Sequence, residues 1–225
     1  MLNEQELAKY FSFHHLPVKT TDWWDGLPLY YSNLKQYHPS FTQRFGQRPE
    51  FYKKYNMKGH NGIDIGYIDG TPVVAPGRLW VTYTQFDDDK GYGNHVFTET
   101  PSQYINGDYY KLDVVFGHLK NITCKSAHWL EEGDSVGPGD STGDSSGPHL
   151  HLGLRPWFSK DGSNWTQVFN NNGYFGYVDP EPYFPHIVWD LDEILHPKGF
   201  IGTYKPIGYK QVASKGGGYH WEKIK

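Results

Sequence analysis

Short runs of β-branched and aromatic residues alternate with glycine- and proline-containing turns through the middle of the chain. The clearest runs are residues 73–75, 79–84, 95–98 and 109–116. Asn106-Gly107, just before the last run, is typical of a two-residue hairpin turn. Runs of this length joined by tight turns predict an antiparallel sheet that is folded on itself. The predicted fold class is therefore all-β or β-rich.

The two ends of the chain are predicted to differ from this middle part. Asn3 is a favourable helix N-cap and Glu6 stands at the capping-box spacing, so a short helix is predicted after Asn3. Prolines and glycines favour an irregular segment after it, and the polar, Asn- and Gly-rich residues 155–177 predict a surface loop. We expect an N-terminal arm (residues 1–40), a central domain (41–186) and a C-terminal arm (187–225).

Composition and charge exclude several classes of protein. The 225 residues carry a formal net charge of −4, which lacks the positive footprint of a nucleic-acid binder. No apolar run approaches the roughly 20 residues that span a bilayer, and the acidic first residues do not resemble a secretory signal. Cys124 is the single cysteine, so neither an internal disulfide nor a cysteine-based zinc site can form. The 12 histidines are therefore the candidate metal ligands.

A His-x-His pair lies in a segment with the alternation of a strand. Side chains two apart on a strand share a face, so His149 and His151 point one way while Leu150 and Leu152 point into the core. Such a pair can supply one metal ligand and one neighbour that acts on metal-bound species. The alternative is two surface histidines on a half-exposed strand.

A second candidate pair is His60 and Asp64. In an extended segment their spacing places them on one side, with Ile63 and Ile65 on the other. A carboxylate flanked by isoleucines is partly desolvated and needs a cation or hydrogen-bond donors. The alternative is an aspartate satisfied by backbone amides in a turn.

His118 stands at the end of an apolar strand, where a hydrogen-bonded core histidine is the alternative to a site residue. The interpretation changes when His118 is considered together with the His149/His151 and His60/Asp64 pairs. Two histidines and one carboxylate are a common catalytic zinc set, which leaves the fourth coordination position open for water.

Three motifs in this order resemble those of the lysostaphin-type zinc endopeptidases of bacterial cell walls. They are His60-x-x-x-Asp64, Gly117-His118-Leu119 and Gly147-Pro148-His149-Leu150-His151. The resemblance covers roughly residues 41 to 186. It implies a compact antiparallel sheet with a substrate groove, similar to a duplicated hybrid motif. It also implies Zn²⁺ bound by His60, Asp64 and His151, with His118 and His149 as the catalytic pair.

One stretch departs from the family pattern. Residues 137–141 are several residues shorter than the usual two-turn segment, which predicts a lowered groove wall but leaves the ligands in place. Candidate aromatic residues of the groove, with the core or the sheet rim as their alternative, are Trp80, Tyr92, Tyr109 and Trp157.

The function implied by the resemblance is hydrolysis of peptide bonds in the stems or cross-bridges of bacterial peptidoglycan, by zinc-activated water assisted by two histidines. The expected place of action is the cell wall, for a trimmed extracellular enzyme or a phage-type lytic protein. One alternative is a non-catalytic wall-binding or phage structural protein that retains the fold. Another is a cupin-like metal oxygenase, which would need a glutamate shortly after Gly153 that the sequence does not have.

Overall fold

The computed structural model describes residues 1–13, 15–18, 42–67, 69–87 and 89–185 with their side chains, and the backbone alone of 23–24, 27–28, 40–41, 209–213 and 219–223. The chain divides into two units, Met1–Ile187 and Val188–Lys225. In the second unit the described residues form an antiparallel hairpin that pairs Tyr209–Ala213 with Tyr219–Lys223. The predicted boundaries at residues 40 and 187 stay a proposal.

Strands far outnumber helices in the described part of the chain. The helices are α1 (Glu4–Tyr10) and α2 (Pro49–Tyr52), with 3-10 turns at Lys53–Tyr55 and Glu181–Tyr183. The strands are β1 (Trp23–Trp24), β2 (Leu27–Pro28), β3 (Ser40–Gln43), β4 (Ile63–Gly66), β5 (Pro72–Val74), β6 (Leu79–Gln85), β7 (Asn94–Glu99), β8 (Gln103–Ile105), β9 (Asp108–Leu119), β10 (Trp129–Leu130), β11 (Ser135–Pro138), β12 (His149–Ser159), β13 (Thr166–Gln167), β14 (Tyr209–Ala213) and β15 (Tyr219–Lys223).

A nine-stranded antiparallel sheet forms the body of the first unit, which confirms the β-rich fold class. Its strand order is β10-β6-β7-β9-β12-β4-β3, with β8 beside β9 and β13 beside β12. Strand β12 lies between β9 and β4, so its residues meet both neighbours. The register places His151 opposite Asp64 on β4 and opposite Gly117 on β9. These long-range pairings bring the three sequence motifs together.

Alternation along the central strands separates the core from the site. Leu150, Leu152 and Leu154 of β12 are fully buried, as the sequence pattern predicts, and so are Ile63 and Ile65 of β4. These five side chains anchor the two strands through the hydrophobic effect, which is roughly proportional to the apolar area removed from water. The opposite face of the same strands is left to carry His151 and Asp64.

The predicted surface loop at residues 155–177 begins later than expected. Strand β12 continues to Ser159, because Arg155 to Ser159 pair with β9, and Trp157 and Phe158 also pair with β13. The polar composition misled the prediction here, since the backbone pairing on both sides supplies the hydrogen bonds that an edge segment would lack.

The predicted N-terminal helix is present and belongs to the same unit as the nine-stranded sheet. Asn3 Oδ1 accepts a hydrogen bond from the Glu6 amide at 2.9 Å, and Glu6 Oε2 accepts one from the Asn3 amide at 2.9 Å, which is a complete capping box. Leu7 is fully buried, and Phe13 packs on Phe184 with ring centroids 5.1 Å apart. In the described part of the chain, no helix is both long and apolar enough to cross a membrane.

Two carboxyls near this helix predict a pH dependence of folding. Burial raises the pKa of Glu4 above its ordinary value of 4.5, and burial also raises the pKa of Asp179, whose backbone N–H donates to Glu4 Oε1 at 3.1 Å. A carboxyl with a raised pKa in the folded state stabilises the fold fully below its ordinary pKa. That contribution is lost as the pH rises through the folded-state pKa.

We therefore expect Glu4→Gln, which is neutral at every pH, to lose less stability than the wild type between about pH 4 and pH 7. Urea unfolding of both proteins across this range measures the difference. Glu50→Gln, at an exposed glutamate, is the matched control and should follow the wild-type profile. Parallel profiles for wild type and Glu4→Gln would contradict the expectation.

Candidate active site

Three buried side chains from different parts of the sequence converge on one point. His60, Asp64 and His151 are 1%, 8% and 3% exposed. His60 Nε2 lies 2.9 Å from His151 Nδ1 and 3.1 Å from Asp64 Oδ1, and His151 Nδ1 lies 3.2 Å from Asp64 Oδ1. Ligands on tetrahedral zinc at about 2.0–2.1 Å stand roughly 3.3 Å apart, so the three atoms fit one such ion.

Backbone pairing holds each of these three residues. His151 and Asp64 are direct partners across β12 and β4. His60 lies before β4, where its amide donates to Gln47 O at 3.0 Å and its carbonyl accepts from the Gly46 amide at 2.8 Å. His60 Nδ1 is 3.3 Å from the Arg44 carbonyl oxygen. A proton on Nδ1 donated to that carbonyl leaves Nε2 free to bind a metal.

The protonation states of this cluster suit a cation. Burial by itself raises the pKa of the Asp64 carboxyl, but hydrogen bonds from His151 and His60 outweigh it and hold the pKa well below its usual range. Burial lowers the pKa of His151 to about 4. At neutral pH the set therefore offers one carboxylate and a neutral imidazole at His151, which are the forms that bind metals.

His118 and His149 lie side by side next to the three candidate metal ligands His60, Asp64 and His151, which we call the triad. Their ring centroids are 4.5 Å apart, and the His118 ring is 6.1 Å from that of His151. His149 Nε2 is 3.7 Å from Asp64 Oδ2. All five histidine and aspartate residues that the sequence singled out are thus brought together.

Main-chain carbonyls fix the tautomer of both rings in this pair. His118 Nδ1 is 2.7 Å from the Thr142 carbonyl oxygen, and His149 Nδ1 is 2.8 Å from that of Gly147. Each carbonyl can only accept, so each Nδ1 carries a proton and each neutral ring keeps a lone pair on Nε2. Burial first, and then the neighbouring histidines, lower the pKa of His118 to about 3.

His118 also has an unusual backbone conformation. Its φ is 61°, in the left-handed region that non-glycine residues rarely adopt. The conformation is held by the His118 amide, which donates to the Tyr92 carbonyl at 2.7 Å, and by its carbonyl, which accepts from the Asp140 amide at 3.1 Å. Strain of this kind costs on the order of 1–3 kcal/mol and collects at functional sites. Nothing in the sequence indicated it.

Two loops beside this pair interlock through glycines. A Cβ on Gly93 would meet the Thr142 backbone at 2.4 Å, and a Cβ on Gly143 would meet the Gly93 nitrogen at 2.3 Å. The Thr142 hydroxyl accepts from the Asn94 amide at 3.0 Å. Asp144 Oδ2 accepts from the Tyr55 hydroxyl at 2.7 Å and from the Gly91 amide at 3.1 Å. The carbonyl that orients His118 therefore belongs to a tightly fitted loop pair.

Of the four candidate groove aromatics, Tyr92 has its ring against a triad ring, 4.9 Å from that of His151. The others have ring contacts of a different kind: Trp80 packs on Trp129, Tyr109 on Tyr104, and Trp157 beneath the Arg155 guanidinium.

The structure adds two site neighbours that the sequence analysis did not select, Tyr52 and Asn61. The Tyr52 ring is 5.4 Å from that of His60, and Asn61 Nδ2 donates to the Tyr92 hydroxyl at 2.7 Å. Asn61 stands inside the first motif, so its position next to His60 was an available signal.

The model of Peptidase family M23 matches residues 58–166, a segment that contains the triad as well as His118 and His149. The match covers just under half of the chain, and over this segment the chain is similar to the metallopeptidases of family M23.

Similarity to individual proteins is moderate. Peptidoglycan DD-endopeptidase ShyC of Vibrio cholerae is 31% identical over 98 residues, 42% of this chain and 20% of that protein. An uncharacterized metalloprotease of Haemophilus influenzae is 28% identical over 95 residues, 42% of this chain and 18% of that protein. The solved catalytic domain of the prophage-encoded M23 protein EnpA of Enterococcus faecalis is 26% identical with a TM-score of 0.44, covering 64% of this chain and 94% of that one. The chain spans about a fifth of the length of these curated relatives.

Proposed function

We propose that the chain is a zinc-dependent endopeptidase that hydrolyses peptide bonds in bacterial peptidoglycan. The observation that carries the proposal is the convergence of His60 Nε2, Asp64 Oδ1 and His151 Nδ1 within 3.2 Å of one another. The match of residues 58–166 to the model of a peptidase family supports the reaction class. The peptidoglycan substrate is supported by similarity to peptidoglycan DD-endopeptidases such as ShyC.

His60, Asp64 and His151 would hold the zinc, and the donor set fits it. Two neutral imidazoles and one carboxylate leave a single positive charge on the ion and one coordination position open. When bound, zinc supplies a Lewis acid that polarises a carbonyl and lowers the pKa of water.

The proton chemistry falls to His118 and His149. Because each Nδ1–H is held by a main-chain carbonyl, each Nε2 is the atom that can exchange a proton with substrate. One ring takes a proton from the attacking water at Nε2. The other, protonated from solvent, donates from Nε2 to the developing oxyanion or to the leaving amine, and the first ring returns its proton to solvent. A positioned general base of this kind contributes roughly 10²–10⁴ in rate.

The reaction is tested by incubating the full chain with purified peptidoglycan and measuring newly released amino groups. We expect release by the zinc-loaded protein, loss of release with a zinc chelator, and recovery when zinc is added back. The masses of the released fragments identify the place of cleavage, in stem or cross-bridge. Binding to the wall without any release of amino groups would support the non-catalytic wall-binding or phage structural protein instead.

A further inference from the structure

The His151 imidazole lacks the hydrogen bond that usually orients a metal-binding histidine. Its Nδ1 faces His60 and Asp64, so the orienting bond would have to come from Nε2. That nitrogen is buried and, within the described residues, has no hydrogen-bond partner. Metal-bound histidines almost always donate their second N–H to an acceptor, which fixes the ring. The orientation of His151 must therefore come from packing.

Two neighbours supply that packing. The Tyr92 ring lies against the His151 ring, with centroids 4.9 Å apart and planes inclined by 31°. Gly62 lies against the Cε1–Nε2 edge, where an added Cβ would be 2.7 Å from Cε1 and 2.9 Å from Nε2. The ring is therefore confined by an aromatic face and by a backbone position that leaves no room for a side chain.

Tyr92 is itself held by polar contacts that link it to the rest of the site. Its hydroxyl accepts from Asn61 Nδ2 at 2.7 Å. Asn61 is buried and is the chain neighbour of His60. The Tyr92 carbonyl accepts from the His118 amide at 2.7 Å. Tyr92 thus contacts the segment that carries His60, the ring of His151 and the backbone of His118.

We propose that Tyr92 is a positioning residue whose aromatic ring holds the His151 imidazole in its metal-binding orientation, in place of the missing Nε2 hydrogen bond. The inference rests on the proposed zinc site. Without the ring, the imidazole can turn about its side-chain torsions, and Nδ1 spends less time directed at the ion. The effect is then on metal affinity, which can be measured without any substrate.

The test compares zinc affinity, by competition with a chromophoric chelator, in the wild type and in Tyr92→Leu and Tyr92→Phe. We expect Tyr92→Leu to bind zinc about 10- to 100-fold more weakly, the range seen when the group that orients a ligand is removed. Tyr92→Phe keeps the ring and should stay within about 3-fold of the wild type. Should Tyr92→Leu fail to fold, Tyr92→Met fills a similar volume without a ring and makes the same comparison. The visible spectrum of the Co²⁺-loaded proteins should change in the ring-less variant alone.

Tyr110→Leu is the matched control for a merely structural effect. Tyr110 is a buried tyrosine on β9 whose hydroxyl accepts from the Leu2 amide at 3.3 Å, away from the ligands. Its loss should lower the unfolding temperature and leave zinc affinity unchanged. Two results would overturn this inference and leave the proposed function standing. One is equal zinc affinity in the wild type and Tyr92→Leu. The other is a loss of zinc affinity in Tyr92→Phe or Tyr110→Leu as large as that in Tyr92→Leu. A wild-type protein that binds no zinc overturns the proposed function, and this inference with it.

Discussion

His60→Ala is expected to lose both bound zinc and peptidoglycan hydrolysis. The substitution removes one of the three ligand atoms of the triad, which lie 2.9–3.2 Å from one another. Two ligand atoms remain, fewer than the three protein ligands of a catalytic zinc site. We expect zinc affinity to fall by more than about 100-fold, beyond the cost of losing a partner that only orients a ligand. Metal analysis of the purified protein gives the result directly.

A matched control separates this effect from the loss of any histidine. His128 is exposed, and its Nδ1 contacts the Ser126 carbonyl away from the cluster. His128→Ala should therefore keep a full equivalent of zinc and the wild-type rate. Full zinc occupancy in His60→Ala would show that the ligands have been assigned wrongly.

His149→Ala is expected to separate metal binding from turnover. His149 is next to the triad without being part of it, since its Nε2 is 3.7 Å from Asp64 Oδ2 and its Nδ1 is directed at the Gly147 carbonyl. Zinc should remain bound, while kcat falls by roughly 10²–10⁴, the contribution of a positioned general acid or base.

Zinc content and the rate of amino-group release, measured on the same preparation of His149→Ala, test this separation. Co-purifying zinc together with a wild-type rate would remove His149 from the proton chemistry. Loss of zinc comparable to that in His60→Ala would instead make it a ligand.

Local patterns in the sequence predicted much of the fold, whereas the complete set of five candidate site residues came from the resemblance of three motifs to a known family. The alternation of His149, Leu150, His151 and Leu152 required a strand with one buried apolar face, and the structure has that strand. The capping box at Asn3 and the Asn106-Gly107 turn are also local signals, and both are present. Such features depend on neighbours within a few residues, which is why a single sequence reveals them.

Features that depend on distant pairing were out of reach. The register that sets His151 opposite Asp64 joins residues far apart in the sequence, and periodicity alone does not determine it. Strand β12 runs beyond its apolar part because partners on β9 and β13 extend it. The left-handed backbone of His118 is imposed by hydrogen bonds to Tyr92 and Asp140, and no rule of local propensity assigns it to a histidine.

The interlocked glycines Gly93 and Gly143 restrict how this protein can be redesigned. Neither offers a functional group, yet each tolerates no side chain because the facing loop occupies the space. A saturation mutagenesis screen should score both as intolerant as the histidines. Replacing only one of the two loops with that of a homologue would disrupt the close fit of their backbones, so both loops should be exchanged together.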